Sequence, residues 1–220
     1  MTILAELLAS FDIEHPANRA TELLLEFGSV AGVLAATPEA LMRAASDVAP
    51  IAKLIPAIRA MMLHVLKGEI VGRPVLASGD ALVDYLRVSL AGAHEEMLRV
   101  LFLNARNELL REEQSFPGSA YSVVVPARAI IKRALELGAT AIILVHNHPS
   151  GDPTPSAEDV RATRALVAAA APLDLVVHDH IIVAGTTWTS LKTCGLMASG
   201  DPRAKVVSIR QNAGPMERRS

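Results

Sequence analysis

The stretch "ATAIILVHNH", residues 139–148, limits what this chain can fold into more than any other part of it. From Ala141 to Val145 it is apolar without alternation. Such a run reads as a strand buried on both faces, and that strand needs a covering layer on each side. The flanking sequence offers helices. "PARAIIKRALELG", 126–138, opens on proline and closes on glycine, the punctuation of a helix. "SAEDVRATRALVAAAA", 156–171, and "SGDALVDYLRVSLAG", 78–92, read as two more. "EMLRVLFLN", 96–104, "YSVVVP", 121–126, and "LDLVVHDHIIVAG", 173–185, read as further strands. Strands alternating with helices predict an α/β domain, a sheet with helices packed on it.

Residues 1–67 differ in kind. "TELLLEFGSVAGVLAA" and "PEALMRAA" repeat apolar residues at three- and four-residue spacing. Thr37-Pro38-Glu39 suits a helix start, with Thr37 as N-cap. "IAKLIPAIRAMMLHVL" is another amphipathic run, interrupted by Pro56. "KGEIVGRPVLASGD", 67–80, holds three glycines and a proline and marks a boundary. The expected organisation is a helical module over 1–70, an α/β domain over 75–197 and a loose tail over 198–220.

Composition agrees. A chain of 220 residues that is 51% hydrophobic, with mean hydropathy +0.34, is not disordered for most of its length. Only 3% is aromatic, so Leu, Val, Ile and Ala must fill the core. The apolar run "ALVAAAAPL", 165–173, stops at Asp174, well short of the ~20 residues of a membrane span. Glu6 and Asp12 near the start, with no basic segment, argue against a signal peptide. Cys194 is the single cysteine, which excludes an internal disulfide and a Cys-rich zinc cage. A soluble cytoplasmic protein with no membrane partner is expected. Net charge is -2. Residues 1–70 hold five Lys/Arg against eight Asp/Glu, and 198–220 five against two, so any strong DNA-binding surface must be local.

His146 and His148 stand two apart at the end of the buried strand. Residues i and i+2 share a face, so both imidazoles can meet one ion on a rigid support. The loop "PSGDPTP", 149–155, turns the chain back. A helix beginning near Ser156 places Asp159 in its first turn, able to point toward the histidines. Two His and one carboxylate with an open fourth position are the pattern of catalytic zinc. The same residues also read as a capping box, Ser156 at the N-cap with an acid at N3, and acids there suit the helix dipole. Two histidines ending a buried strand without partners would be costly, which favours the metal.

"HNHPSGDPTPSAED", 146–159, resembles the signature of the RadC family, a bacterial branch of the JAMM (MPN+) metalloprotease fold. "VLFLNARNELL", "IIKRALELGATAIILVHNHPSGDP" and "HDHIIVAGTTWTSLK" are similar to the same family. The resemblance covers roughly residues 75–197, and the helical part more loosely. It implies a JAMM/MPN-type mixed sheet, on a layout related to cytidine deaminases, with flanking helices. It implies zinc held by His146, His148 and Asp159, with a water of lowered pKa at the fourth position. An upstream Glu would be the general base, and Ser156 would steady the oxyanion. "HEEMLRVLFLN" offers Glu95 and Glu96 for that base. Similar sequences place it eight residues before the Asn ending the strand, here Asn104, which selects Glu96. Local physics is neutral, except that neighbours on a strand face opposite sides, so only one can reach the metal.

The implied activity is hydrolysis of a peptide or isopeptide bond in a peptide or protein substrate. The alternative is a DNA repair or recombination accessory that binds DNA without hydrolysis, and a metal-free scaffold is a third possibility. RadC-like proteins usually carry a helix-hairpin-helix with a Gly-containing hairpin, whose backbone amides could grip DNA phosphate. Here "AASDVAPIAK", 44–53, has no glycine. "PARAII" keeps Arg128 without the Glu that usually follows. A deaminase would need a Pro-Cys-x-x-Cys pair, and a nucleotide cofactor a glycine-rich phosphate loop; neither is present. His178 and His180 form a second His-x-His, expected to be structural or to orient a ligand. His15, His64 and His94 are expected to have no special role, and Cys194 to be a small buried hydrophobe.

Overall fold

The computed structural model describes residues 2–44, 49–93, 95–117 and 125–197. The chain forms two compact units, Met1–Gly68 with Asp84–His94, and Glu69–Val83 with Glu95–Ser220. The sequence suggests one boundary within 67–80, whereas in the structure 84–94 belong to the first unit.

The first unit is helical: α1 (Ile3–Ser10), α2 (Pro16–Phe27), α3 (Val30–Ala35), α4 (Pro38–Ala44) and most of α5 (Ala49–Ile70). The apolar run 21–36 is split in two. Gly28 closes α2 at φ 74°, a left-handed conformation that glycine adopts freely, and Ser29 caps α3 by accepting the Gly32 N–H. Thr37 Oγ1 accepts the Ala40 N–H at 3.2 Å, as an N-cap should. Pro56 does not interrupt its helix: α5 runs through it for 22 residues. Packing overrides the lost N–H there, because Ile51, Ala52 and Ile55 just before it are buried. They join Leu4, Leu8, Leu23, Val33 and Leu41 in one core. By length and composition α5 could also cross a membrane, unlike the run 165–173 that stands out in the sequence. Its Ile51, Ala52 and Ile55 join this core, and its Arg59 donates to the carbonyls of Ala35, Val88, Ser89 and Ala91.

The second unit is α/β. Its sheet has the order β2-β1-β3-β4-β5, from β1 (Met97–Leu103), β2 (Leu109–Pro117), β3 (Ala141–Asn147), β4 (Val176–Ala184) and β5 (Thr187–Ser190). Helices α7 (Ala127–Glu136) and α8 (Ala157–Ala170) belong to this unit, while α6 (Gly79–Leu90) is divided between the two units after Val83; two short 3-10 turns complete the described elements. Only β3 and β4 pair in parallel, joined by α8 as a crossover; β1–β2, β1–β3 and β4–β5 are antiparallel. Every residue of β3 is buried. Its Ile142 and Leu144 pack with Leu98, Val100 and Phe102 of β1, Ile130 and Ala134 of α7, and Leu166 and Ala170 of α8.

Two strands are not foreseen from the sequence. β2 reads "LLREEQSFP", whose charges suggest a surface loop, but it lies at the sheet edge, where charged strands are normal. β5 is four residues long. Of the expected strand 121–126, residues 121–124 lie outside the described residues and 125–126 are not in a strand. His94 and the tail 198–220 also lie outside them. The parallel β3–α8–β4 unit brings the C-terminal end of β3 beside the N-terminus of α8, the usual place for a ligand in such sheets.

Candidate metal centre

His146 lies near the end of β3, 1% exposed, on the face that carries Ile142 and Leu144. His148 follows just past the strand. Its Nδ1 is 2.7 Å from the Asp152 carbonyl oxygen. A carbonyl can only accept, so Nδ1 carries a hydrogen, and in the neutral ring Nε2 keeps a lone pair. The two Nε2 atoms, of His146 and His148, are 2.8 Å apart. Asp159 faces both, with Oδ1 3.5 Å from His146 Nε2 and Oδ2 3.7 Å from His148 Nε2. One donor atom from each of the three lies within 4.8 Å of the others.

The capping box exists too, and it involves the same carboxylate. Ser156 donates its N–H (2.8 Å) and its O–H (2.6 Å) to Asp159 Oδ2, and its Oγ accepts the Asp159 N–H at 3.1 Å. The cap therefore fixes the Asp159 side chain where the histidines need it.

Electrostatics sharpen the site. Burial lowers the His146 pKa to about 4, only partly offset by the Asp159 charge. The Asp159 carboxylate beside His148 raises that imidazole's pKa. Burial opposes ionisation of Asp159, but His148, His146 and the Ser156 donors outweigh it and hold the carboxyl well below the usual range. An ionised carboxylate thus faces two imidazole nitrogens. At 2.8 Å the nitrogens can share at most one proton, and a bound cation satisfies all three donors at once. The residues present fit a metal ion with two nitrogen ligands and one oxygen ligand.

Glu96 and Glu95 lie exposed just before β1. The β1–β3 register pairs Leu98 with His146. That is the last pair of the register; an extension by two residues would set Glu96 across from His148 on the same face and Glu95 on the other. After Asp159, the Glu96 charge also helps raise the His148 pKa. Asn147, between the two histidines, holds this segment: its Oδ1 accepts the Met97 N–H and its Nδ2 donates to the Glu95 carbonyl, both at 2.9 Å. The backbone on each side of Glu96 is thereby tied to the ligand-bearing strand. Asn147 is not singled out by the sequence, though its seat between the histidines was the available signal.

Behind His146 lies a buried chain of polar groups. His146 Nδ1 is 2.7 Å from His180 Nε2, and His180 Nδ1 is 2.6 Å from Thr163 Oγ1. Thr163 Oγ1 is also 2.6 Å from the Asp159 carbonyl oxygen. His180 thus packs against a candidate ligand, and burial keeps its pKa well below normal. Thr163 was not foreseen; its spacing of four from Asp159 on one helix is the only sequence hint. His178 lies apart, with Nε2 2.6 Å from Asn107 Oδ1, and burial lowers its pKa to about 4. Cys194 is exposed, not buried as its residue type suggests, because it sits in the turn after β5.

A buried strand ending in His-x-His, beside the capped carboxylate of the next helix, defines the class as a JAB/MPN-type α/β domain with a candidate metal centre. Residues 76–196 match the family model of the RadC-like JAB domain. The chain is 39% identical over 195 residues to a UPF0758 protein of Rhodobacter capsulatus, spanning 89% of this chain and 90% of that relative. The chain belongs to the RadC family.

Proposed function

We propose that this chain is a zinc-dependent hydrolase that cleaves a peptide or isopeptide bond in a cytoplasmic peptide or protein substrate. The observation that carries this is the Asp159 carboxylate, 3.5 and 3.7 Å from two imidazole Nε2 atoms that are only 2.8 Å apart. His146, His148 and Asp159 would hold the ion. Zinc bound there supplies Lewis acidity and lowers the pKa of a water. Glu96, whose charge acts on His148, would take the proton of the attacking water and return it to the departing nitrogen. Ser156 anchors Asp159 by donating its hydroxyl proton to Oδ2. To steady an oxyanion as well, that hydroxyl must turn from Asp159 to the substrate.

The test is metal content of the purified protein by plasma mass spectrometry, followed by assay against peptide and isopeptide substrates. About one zinc per chain is expected in the parent and none in His146→Ala. Glu96→Gln is expected to keep the zinc and lose about 10²–10⁴-fold in turnover. A parent that holds no metal after zinc is offered and the excess dialysed away would overturn the reading.

A further inference from the structure

We propose that Thr163, acting through His180, fixes His146 in the tautomer that presents an unprotonated Nε2 to the metal centre. The use of that nitrogen as a ligand rests on the function proposed above; the hydrogen-bond logic does not. Thr163 Oγ1 sits 2.6 Å from both the Asp159 carbonyl oxygen and His180 Nδ1. The hydroxyl has one proton, and the carbonyl can only accept. The hydroxyl must therefore donate to Asp159, or two oxygens would face each other at 2.6 Å with no proton between them. Its remaining lone pair then accepts from His180 Nδ1–H. That leaves His180 Nε2 bare, so it accepts from His146 Nδ1–H at 2.7 Å. The proton of a neutral His146 is used up on this side. Its Nε2 faces His148 and Asp159 as a lone pair.

The chain has a fixed polarity, set by one carbonyl. Thr163 and His180 are both 0% exposed, so water cannot supply a substitute donor or acceptor. Without the hydroxyl, a proton on His180 Nδ1 would be buried with no acceptor. His180 then keeps its proton on Nε2 and donates to His146 Nδ1. The proton of His146 moves to Nε2, where it occupies the metal's place. Thr163 is thus a positioning residue: it touches no substrate or metal, yet it decides which nitrogen of a ligand is free.

The experiment compares the parent, Thr163→Ser and Thr163→Val. Long-range proton–nitrogen NMR correlations on the metal-free protein, at about pH 8 so that ordinary histidines are neutral, read each tautomer. Zinc dissociation constants are read by chelator competition. The parent and Thr163→Ser should show His146 and His180 protonated on Nδ1. Thr163→Val should show both protonated on Nε2, with zinc bound about 10–100-fold more weakly. A purely structural role would alter stability and leave the tautomers alone. The proposal falls if the parent's His146 is protonated on Nε2. It falls equally if Thr163→Val keeps the parent tautomer and binds zinc as the parent does. Should Thr163→Val not fold, the parent's spectrum still decides. A parent that binds no zinc removes the proposed hydrolase, while the metal-free spectra judge the relay separately.

Discussion

At the scale of single residues, the carboxylate of Asp159 caps its helix and faces both histidines of the candidate metal centre. Ser156→Ala removes the N-cap and one of two donors to Oδ2. The expected result is a loss of about 1 kcal/mol in stability, read by thermal melting, together with weaker zinc binding. The three candidate ligands were legible because their signal is local: spacing of two on a strand, then a first helical turn. Asn147 and Thr163 were not, because their roles are hydrogen bonds to partners 50, 52 and 17 residues away, which no local spacing records. Glu96 was preferred to Glu95 by resemblance alone. The register ends at Leu98–His146, and only its extension by two residues would favour Glu96.

At the scale of elements, β3 was the most readable and is the most consequential. Its side chains are buried on both faces, so a deletion there leaves a cavity that neighbouring layers cannot readily fill. Leu144→Ala, in the core between β1, α7 and α8, is expected to cost about 2–5 kcal/mol by denaturant unfolding. The unreadable elements lie at the margins. β2 carries Arg111, Glu112 and Glu113 in succession, a pattern that only its edge position explains. Its Glu113 is bound by the Arg133 guanidinium of α7 through contacts of 2.9, 3.1 and 2.6 Å, which ties the edge to a covering helix. Pro56 marks the opposite failure. A strong local breaker lost to the packing of its neighbours.

For the whole molecule, the response to acid follows from the buried histidines. Burial lowers the pKa of His146 and His178 to about 4 and pushes His180 well below normal. In the unfolded chain each returns to about 6.5. Between those values the unfolded state binds more protons than the folded one, so the metal-free protein loses stability as pH falls from about 6.5 toward 4. Denaturant midpoints taken across that range should decline. His178→Gln, which removes one of the three, should make the decline shallower. If midpoints stay flat there, the imidazoles are not buried as neutral groups.

The clamp made by Asn147 has a bearing on how the protein is born. His146, His148 and Asp159 occupy fourteen consecutive residues and can close around an ion as a local piece of chain. Glu96 leaves the ribosome earlier, yet it has no fixed place until β1 docks on β3 and Asn147 grips the backbone on either side of it. If the proposed hydrolase reading holds, a nascent or half-folded chain could carry the ion while lacking the base, and only the finished sheet would arm the site, sparing a polypeptide still being made.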